Sequence, residues 1–412
     1  MRRGSRGNAS SALPADVLIV TGENRAGLGC ARSLHRAGVP FVVISTEAPS
    51  MLAGSRSVKR HVRAPSPDHD AEGFIGFVLD VGAATGARVV LPVHDAALRV
   101  LDDHRATLSD SGIVLAAAPS SAVRNALDKT ANLETARALG IPCPRQFEIR
   151  GLGDLPELIA AVGFPMVLKP PRSGVRTFDF KWLVANNEHE LRELLELHCP
   201  DGHYPLFQER VQGEVVGVYC LASHGRVVTM LAHRAIRRMF GENVYREIIA
   251  VPPALGEYAE VLLGSLSWDG LATLAFFVTP GGRAVYMETN ARPWGSIGGH
   301  VAAGWDFPLW AVHYHADGVL PTPPAPAIGR RACWRFADLI GILAVARGEA
   351  WQTDREGITL GRAVMDYLAA FRPGVTSDVF RLDDPLPELI EHFRWLRGTR
   401  PFRTLRTPRR TR

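Results

Sequence analysis

The sequence predicts a multidomain protein that begins as an α/β unit and continues as α+β. Three observations carry this. The chain has 412 residues, and domains run to roughly 100–200 residues, so two or three separate cores are expected. Residues 16–121 alternate short β-branched runs with helical stretches, the pattern of a doubly wound parallel sheet. From residue 147 to 250, short strands follow one another around a single helix, which points to antiparallel pairing.

The elements follow in order. VLIV (17–20) is a strand, TGENRAGLG a glycine-bearing turn, CARSLHRAG a helix and VPFVVIS a second strand. RVVLPVHD (88–95), the helix DAALRVLDDHRATL and the strand GIVLAA complete the first unit. One helix, SAVRNALDKTANLETARALG, is expected next, stopped by Gly140 and the breaker IPCP. FPMVLKP, WLVAN, PLFQERV, VVGVYCLAS and RVVTMLAHRA are strands around the helix EHELRELLELH. A helix over 257–268 precedes the strands LATLAFFV and RAVYMETNAR, joined by the turn TPGG. The Pro-rich spacer VLPTPPAPAIG follows Gly318 and introduces a small C-terminal domain. The expected division is 1–15, a disordered tail; 16–121; 122–318; 319–396; and 397–412, a basic tail.

Composition narrows the function class. At 46% apolar and 22% charged the chain is ordinary for a globular protein, and no uncharged apolar run nears the ~18 residues of a membrane span. The net charge of +5 resides in the ends: Arg2, Arg3 and Arg6 in the first tail and seven arginines after residue 396, with no acid in either. Such ends can touch anionic polymers or membranes, but they read first as solvated termini, and the acidic body makes nucleic acid a poor partner. Five scattered cysteines without a C-x-x-C pair indicate neither a disulfide framework nor zinc, and MRRGSRGNASSALPA lacks the apolar core of a secretory signal; a cytoplasmic protein is expected.

Gly22, Gly27 and Gly29 lie between a strand and a helix, where backbone amides can hold a phosphate. The dinucleotide fingerprint needs a third glycine where this chain has Arg32, and its ribose-binding acid should end the second strand, which closes at Ser45 with Glu47 two residues beyond. A glycine turn that shapes a crevice is the better reading than an NAD site. His94 and Asp95 end a strand at that crevice, where substrate contact is open.

Four further motifs stand in order: LDKTANLETARALGIPCP, GFPMVLKP, FQERVQGE and YMETNARPWGS. Their order and spacing resemble the ATP-grasp superfamily, in particular its carbamoyl-phosphate-synthetase-like carboxylate–amine ligases. The resemblance covers residues 16–318 and implies an ATP-grasp fold over 122–318, preceded by a Rossmann-like pre-ATP-grasp domain. Lys129 and Lys169 match the family's phosphate-binding lysines, and they are two of four lysines among 47 basic residues, so their placement is informative. Lys181 reads equally as an auxiliary cation or a surface residue. PPRSGVRTF resembles the mobile loop over the phosphates, with Ser173 and Gly174 donating backbone N–H groups. In QERVQGE the resemblance implies that Glu209 and Val211 bind adenine through their main chain, while Glu214, or else Glu209, takes the ribose hydroxyls.

On a strand, residues two apart share a face, so Glu288, Asn290 and Arg292 project together. A carboxylate and an amide oxygen suit Mg²⁺, or Mn²⁺ in its place, and Arg292 can neutralise a phosphoryl group or an acyl phosphate. The family's second acidic ligand is missing, because GLATLAF puts Ala275 there and residues 270–287 hold no Asp or Glu. Arg234, with Arg237 and Arg238 behind it, follows a strand where the family orients phosphates or a substrate carboxylate. His300, His313 and His315 lie in expected helices, where i, i+2 side chains diverge, so a metal site there is disfavoured.

The function expected is ligation: ATP activates a carboxylate as an acyl phosphate, ADP leaves, and an amine attacks. The alternatives are a nucleotide-binding regulatory or scaffold protein, motivated by Ala275, and a dehydrogenase acting through the glycine turn. A small-molecule carboxylate and amine are the expected partners, and a homodimer stays open.

Overall fold

Five parallel strands form the N-terminal sheet in a computed structural model that describes residues 15–21, 24–46, 50–175, 177–239, 241–348 and 358–396. They are β1 (Val17–Thr21), β2 (Phe41–Ser45), β3 (His61–Arg63), β4 (Val89–Pro92) and β5 (Val114–Leu115), in the order β3-β2-β1-β4-β5. Leu18 and Val20 enter one apolar cluster while Val17 and Ile19 enter another, so β1 is buried on both faces, as a parallel sheet covered by helices must be. The strand order reverses between β1 and β4, which opens a crevice at their carboxyl ends. Gly22, Glu47 and the two terminal tails up to residue 14 and from 397 lie outside the described residues.

A four-stranded antiparallel sheet follows, β6 (Gln146–Phe147), β7 (Met166–Lys169), β8 (Leu183–Ala185) and β9 (Leu206–Glu209), ordered β6-β9-β7-β8. The helices Leu155–Val162 and Glu188–His198 cover it, and Leu158, Met166, Leu168, Leu191 and Phe207 make its own core.

The largest sheet has seven strands: β10 (Glu214–Ser223), β11 (Arg226–Met239), β12 (Glu242–Ile249), β13 (Gly270–Val278), β14 (Ala284–Asn290), β15 (Arg331–Cys333) and β16 (Val375–Ser377), ordered β14-β13-β10-β11-β12-β15-β16. All neighbours pair antiparallel except β15 and β16. Residues 319–396, expected as a small C-terminal domain, thus lend two strands to the edge of this sheet. The helix expected over 121–139 is two, Ser120–Leu127 and Lys129–Ala138, broken at Asp128. Asp128 is extended (φ −101°, ψ 107°) and its carboxylate accepts the Ala131 N–H, a capping arrangement that starts a new helix at Lys129.

Candidate active site

A cleft of about 1520 Å³ opens between the small and the large sheet and reaches the crevice of the first. Lys129, Lys169, Ser173, Glu209, Val211, Glu288, Asn290 and Arg292 all line it, whereas Gly174, Glu214 and Arg234 do not.

Three local features bring the first group together. The Asp128 break places Lys129 in the first turn of its helix, and three residues on, buried Asn132 accepts the Thr289 N–H at 3.1 Å and the Tyr286 hydroxyl at 2.5 Å. That contact fixes the helix against β14. In β14 itself, Tyr286 pairs with Phe276 and Glu288 with Ala275, so Met287 is an extra residue in a bulge. The bulge reverses the alternation: Tyr286 turns into the core, while Glu288 and Asn290 turn to the cleft. Finally, Lys169 ends β7 on the facing sheet.

Alternation also explains what stays out. Val216 and Val218 of β10 face the core, so Glu214 shares their side of the strand and ion-pairs with Arg234 at 3.6 Å. Arg234 pairs with Val216 across β10 and β11 and binds Glu247 at 2.7 and 3.0 Å on the face away from the cleft. Arg234, expected to orient phosphates or a substrate carboxylate, and Glu214, expected at the ribose, thus do not line this cleft; Glu209, held by Arg145 at 2.6 Å, is the acid at that edge of the cleft. β11 continues beyond Arg234, and two register shifts near Arg237 redirect its end, turning Arg238 into the cleft while Arg237 pairs with Asp338 and lies over the Tyr245 ring. Gly174 has φ +72°, and a Cβ there would sit 2.7 Å from the Asp95 carbonyl oxygen, so this glycine lets the loop close on the first unit. Ser173 meets Lys129 Nζ at 3.0 Å.

The cleft is a field of cations set against a few acids. Lys169 has no ion-pair partner among the described residues, and burial, together with Lys129, Arg238 and Lys181, depresses it to about 8, with Glu288 opposing. Burial likewise lowers Lys129. Lys181 holds Glu242 at 2.5 Å, and with Arg25 depresses that carboxyl to about 2 against its burial. Arg292 donates to both oxygens of Asp95, at 2.7 and 3.1 Å; burial works against its charge, but Asp95 keeps it above the ordinary value. Asp95 thus does reach the cleft, while His94 accepts the Ala97 N–H as a helix cap.

Arg25, Tyr219, Glu242 and Trp294 also line the cleft and escaped the sequence reading. Arg25 sat visibly in the first turn of the helix Arg25–Arg36, where a phosphate site would avoid no cation, yet its partners Asp378 and Glu242 are remote in sequence. The glycines of that turn are used for packing: a Cβ on Gly27 would meet Thr21 Oγ1 at 2.6 Å, and one on Gly29 would meet Ile297 at 2.8 Å. His300 is buried in a chain that ends in the cleft. Trp294 Nε1 donates to His300 Nδ1 at 3.0 Å, His300 Nε2 meets His233 Nδ1 at 3.0 Å, and His233 Nε2 meets the Tyr219 hydroxyl at 2.6 Å. Burial holds both histidines far below their usual range, hence neutral. An indole only donates, so each imidazole accepts at Nδ1 and donates from Nε2, leaving the Tyr219 proton to point onward to Ser296 and the cleft.

No protein-family profile matches the chain. Among curated proteins it is similar to the mitochondrial methylcrotonoyl-CoA carboxylase subunit alpha of Oryza sativa subsp. japonica, 23% identical over 296 residues, 65% of this chain and 39% of that protein. The chain thus spans about two fifths of the length of this relative. Among solved structures it is similar to biotin carboxylase from Campylobacter jejuni (TM-score 0.61, 14% identity, 77% of this chain and 74% of the other). It is also similar to L-amino acid ligase from Bacillus licheniformis (TM-score 0.58, 16% identity, 74% and 75%). Over about three quarters of its length this chain therefore has the fold of these structures, the ATP-grasp fold.

Proposed function

We propose that this chain is an ATP-dependent ligase that activates a carboxylate and joins it to an amine. The observation that carries the reading is the convergence of Lys129, Lys169, Glu288, Asn290 and Arg292 on one cleft, with Lys169 in no ion pair among the described residues and depressed by burial and by neighbouring cations. Such a cluster suits a polyanion, and a triphosphate fits its charge. In the reaction, a carboxylate oxygen attacks the γ-phosphorus, the bond to the β-phosphate oxygen breaks, and ADP leaves. The amine nitrogen then attacks the acyl carbon, loses a proton, and expels phosphate. Lys129 and Lys169 hold the phosphates, Ser173 supports Lys129, and Arg292, aimed by Asp95, stabilises the transferring phosphoryl group. Glu209 and Val211 sit at the edge suited to the adenosine.

One divalent ion fits the donor set. Glu288 and Asn290 offer hard oxygens on one strand face, and buried Thr273 Oγ1, paired across from Asn290, has no hydrogen-bond partner among the described residues. Mg²⁺ needs only one or two carboxylates when phosphates complete its shell, and bound here it would neutralise phosphate charge. Ala275 stands directly opposite Glu288, where a second ion would need an acid. That observation favours the second reading, a nucleotide-binding regulatory protein with little turnover.

Residues 122–318 as the nucleotide-binding unit and 16–121 as its crevice partner remain part of the proposal. So does a cytoplasmic location, supported by a need for ATP and five free thiols. A homodimer is supported by one similar structure, the biotin carboxylase domain dimer of Hydrogenobacter thermophilus 2-oxoglutarate carboxylase.

Purified protein with Mg²⁺ and ATP should release ADP for some member of a panel of carboxylates and amines, and Lys169→Ala should cost about 100-fold in kcat/KM. ATP binding with no ADP release across the panel, together with turnover restored in Ala275→Glu, selects the regulatory reading instead.

A further inference from the structure

Two small residues lie side by side on the floor of the cleft. Across β14, β13 and β10 the register sets Glu288 beside Ala275 and Ala275 beside Gly217, and the next row sets Asn290 beside Thr273 and Thr273 beside Tyr219. Tyr219 leans back over Gly217: a Cβ on that glycine would run into the tyrosine hydroxyl and lie 2.7 Å from ring carbon Cζ. Between Glu288 and the Tyr219 hydroxyl the first row therefore holds only the methyl group of Ala275, a lane about 10 Å long at two strand spacings. Thr273 Oγ1 flanks this lane, buried and without a hydrogen-bond partner among the described residues, which marks the lane as a place that a bound group completes.

The Tyr219 hydroxyl is the cleft end of the chain that starts at Trp294 and runs through His300 and His233. The rings hold one another, with the Tyr219 centroid 4.5 Å from His233, 4.5 Å from His300 and 4.7 Å from Trp294, and all four residues are buried. Direction is set at the far end, because an indole can only donate. His233 therefore donates to Tyr219, whose own proton is directed outward. The other contact at His233 Nε2, Asn243 Nδ2 at 3.5 Å, is too long to displace a bond of 2.6 Å. Were the chain reversed, Tyr219 would turn its proton inward and show the cleft lone pairs alone. We propose that the Tyr219 hydroxyl donates to the acyl oxygen of a substrate lying in this lane, and that His233, His300 and Trp294 are positioning residues that keep its proton turned outward. This role rests on the ligase reading and supplies the group that meets charge on the acyl oxygen. As the amine nitrogen adds to the acyl carbon, the carbonyl π electrons move to oxygen; as phosphate leaves they return, and the nitrogen gives its proton to solvent. Tyr219 contributes a hydrogen bond and keeps its proton, which suits a phenol that burial raises above its ordinary value. Ala275 then has a reason of its own, since a glutamate there would fill the lane.

The test uses the full chain with Mg²⁺, ATP, hydroxylamine as the amine and a panel of aliphatic, aromatic and amino-acid carboxylates, reading ADP and hydroxamate. Tyr219→Phe should lower kcat about 100-fold while the KM for ATP stays within about twofold of the parent's. His300→Gln, which can still accept from Trp294 and donate to His233, should keep kcat within about tenfold, and His300→Leu should fall to the level of Tyr219→Phe. A merely structural role predicts the two His300 variants alike. Nitrogen-15 NMR of the histidine-labelled parent should show a protonated Nε2 and a bare Nδ1 on both buried imidazoles, a measurement that needs neither turnover nor a variant. Full kcat in Tyr219→Phe, or a protonated Nδ1 on His233, overturns the assignment, while turnover in the parent leaves the ligase reading standing. A parent that makes neither ADP nor hydroxamate overturns the two together, most plainly if Ala275→Glu gains both, because that variant should instead block the lane and abolish product.

Discussion

Lys169 stands in the cleft with its ammonium pressed by Lys129, Arg238 and Lys181, and its behaviour with pH follows from that crowding. Its folded value of about 8 lies below the ordinary 10.5. Below pH 8 both folded and unfolded chains hold the proton; between about 8 and 10.5 the folded chain sheds it first, so this residue adds stability as pH rises through that window. A bound phosphate does the opposite and raises the value. Calorimetry of ATP binding near pH 8.5, repeated in buffers of different ionisation enthalpy, should show proton uptake that vanishes in Lys169→Met, and ATP affinity should fall as pH climbs above 8. The residues legible in the sequence were those whose type was rare or whose motif was local: two of four lysines, and Glu288, Asn290 and Arg292 within five positions. The orientation of Arg234 and Glu214 was not legible, because a strand of known composition still has two faces and its pairing with neighbouring strands decides which residues line the cleft.

Bulges and breaks decide the geometry of whole elements. The extra residue Met287 in β14, the register shifts near Arg237 in β11 and the interruption at Asp128 each aim a charged side chain into the cleft. None has a composition signal, since a bulge is a matter of partner register and not of residue type. Strand and helix existence was readable from periodicity, as β1, β4, β10, β13 and β14 illustrate, whereas the length of β11 and the division of the 120–138 helix were not. The loop after β7 offers a direct check. Gly174→Ala forces a β-carbon toward the Asp95 carbonyl in a left-handed conformation, at a cost of about 1–3 kcal/mol, and displaces Ser173 from Lys129. Urea titration should record a stability loss of that order, and the KM for ATP should rise more than kcat falls.

At the scale of the whole molecule, buried ion pairs tie the end of the chain to its beginning. Asp384 accepts from Arg32 at 2.8 and 3.1 Å, from Ser55 at 2.6 Å and from the Arg56 N–H at 2.9 Å. Burial favours the neutral acid, but these donors win and hold Asp384 below its ordinary value. Its contribution is therefore present above the unfolded carboxyl's titration, near pH 4, and is lost as pH falls through the lower folded value. Asp384→Asn leaves Arg32 buried without its counter-charge and should cost about 3–5 kcal/mol at pH 7, with the gap to the parent narrowing in acid; denaturant midpoints at pH 7 and pH 3 check this. The proline-rich spacer marks residues 319–396 as a small C-terminal domain in the sequence, but long-range charge pairing leaves no trace in local composition. Asp378 repeats the tie on a larger scale, pairing with Arg246 and, at 3.0 Å, with Arg25, which lies 353 residues earlier. A ribosome adding ~5–20 residues per second delivers those two partners ~20–70 s apart. For that interval Arg25 has only Glu242 to balance it, and a transcript cut short of Asp378 yields a protein whose first helix keeps Glu242 and Asp306 but leaves Arg25 without Asp378 and buried Arg32 without Asp384.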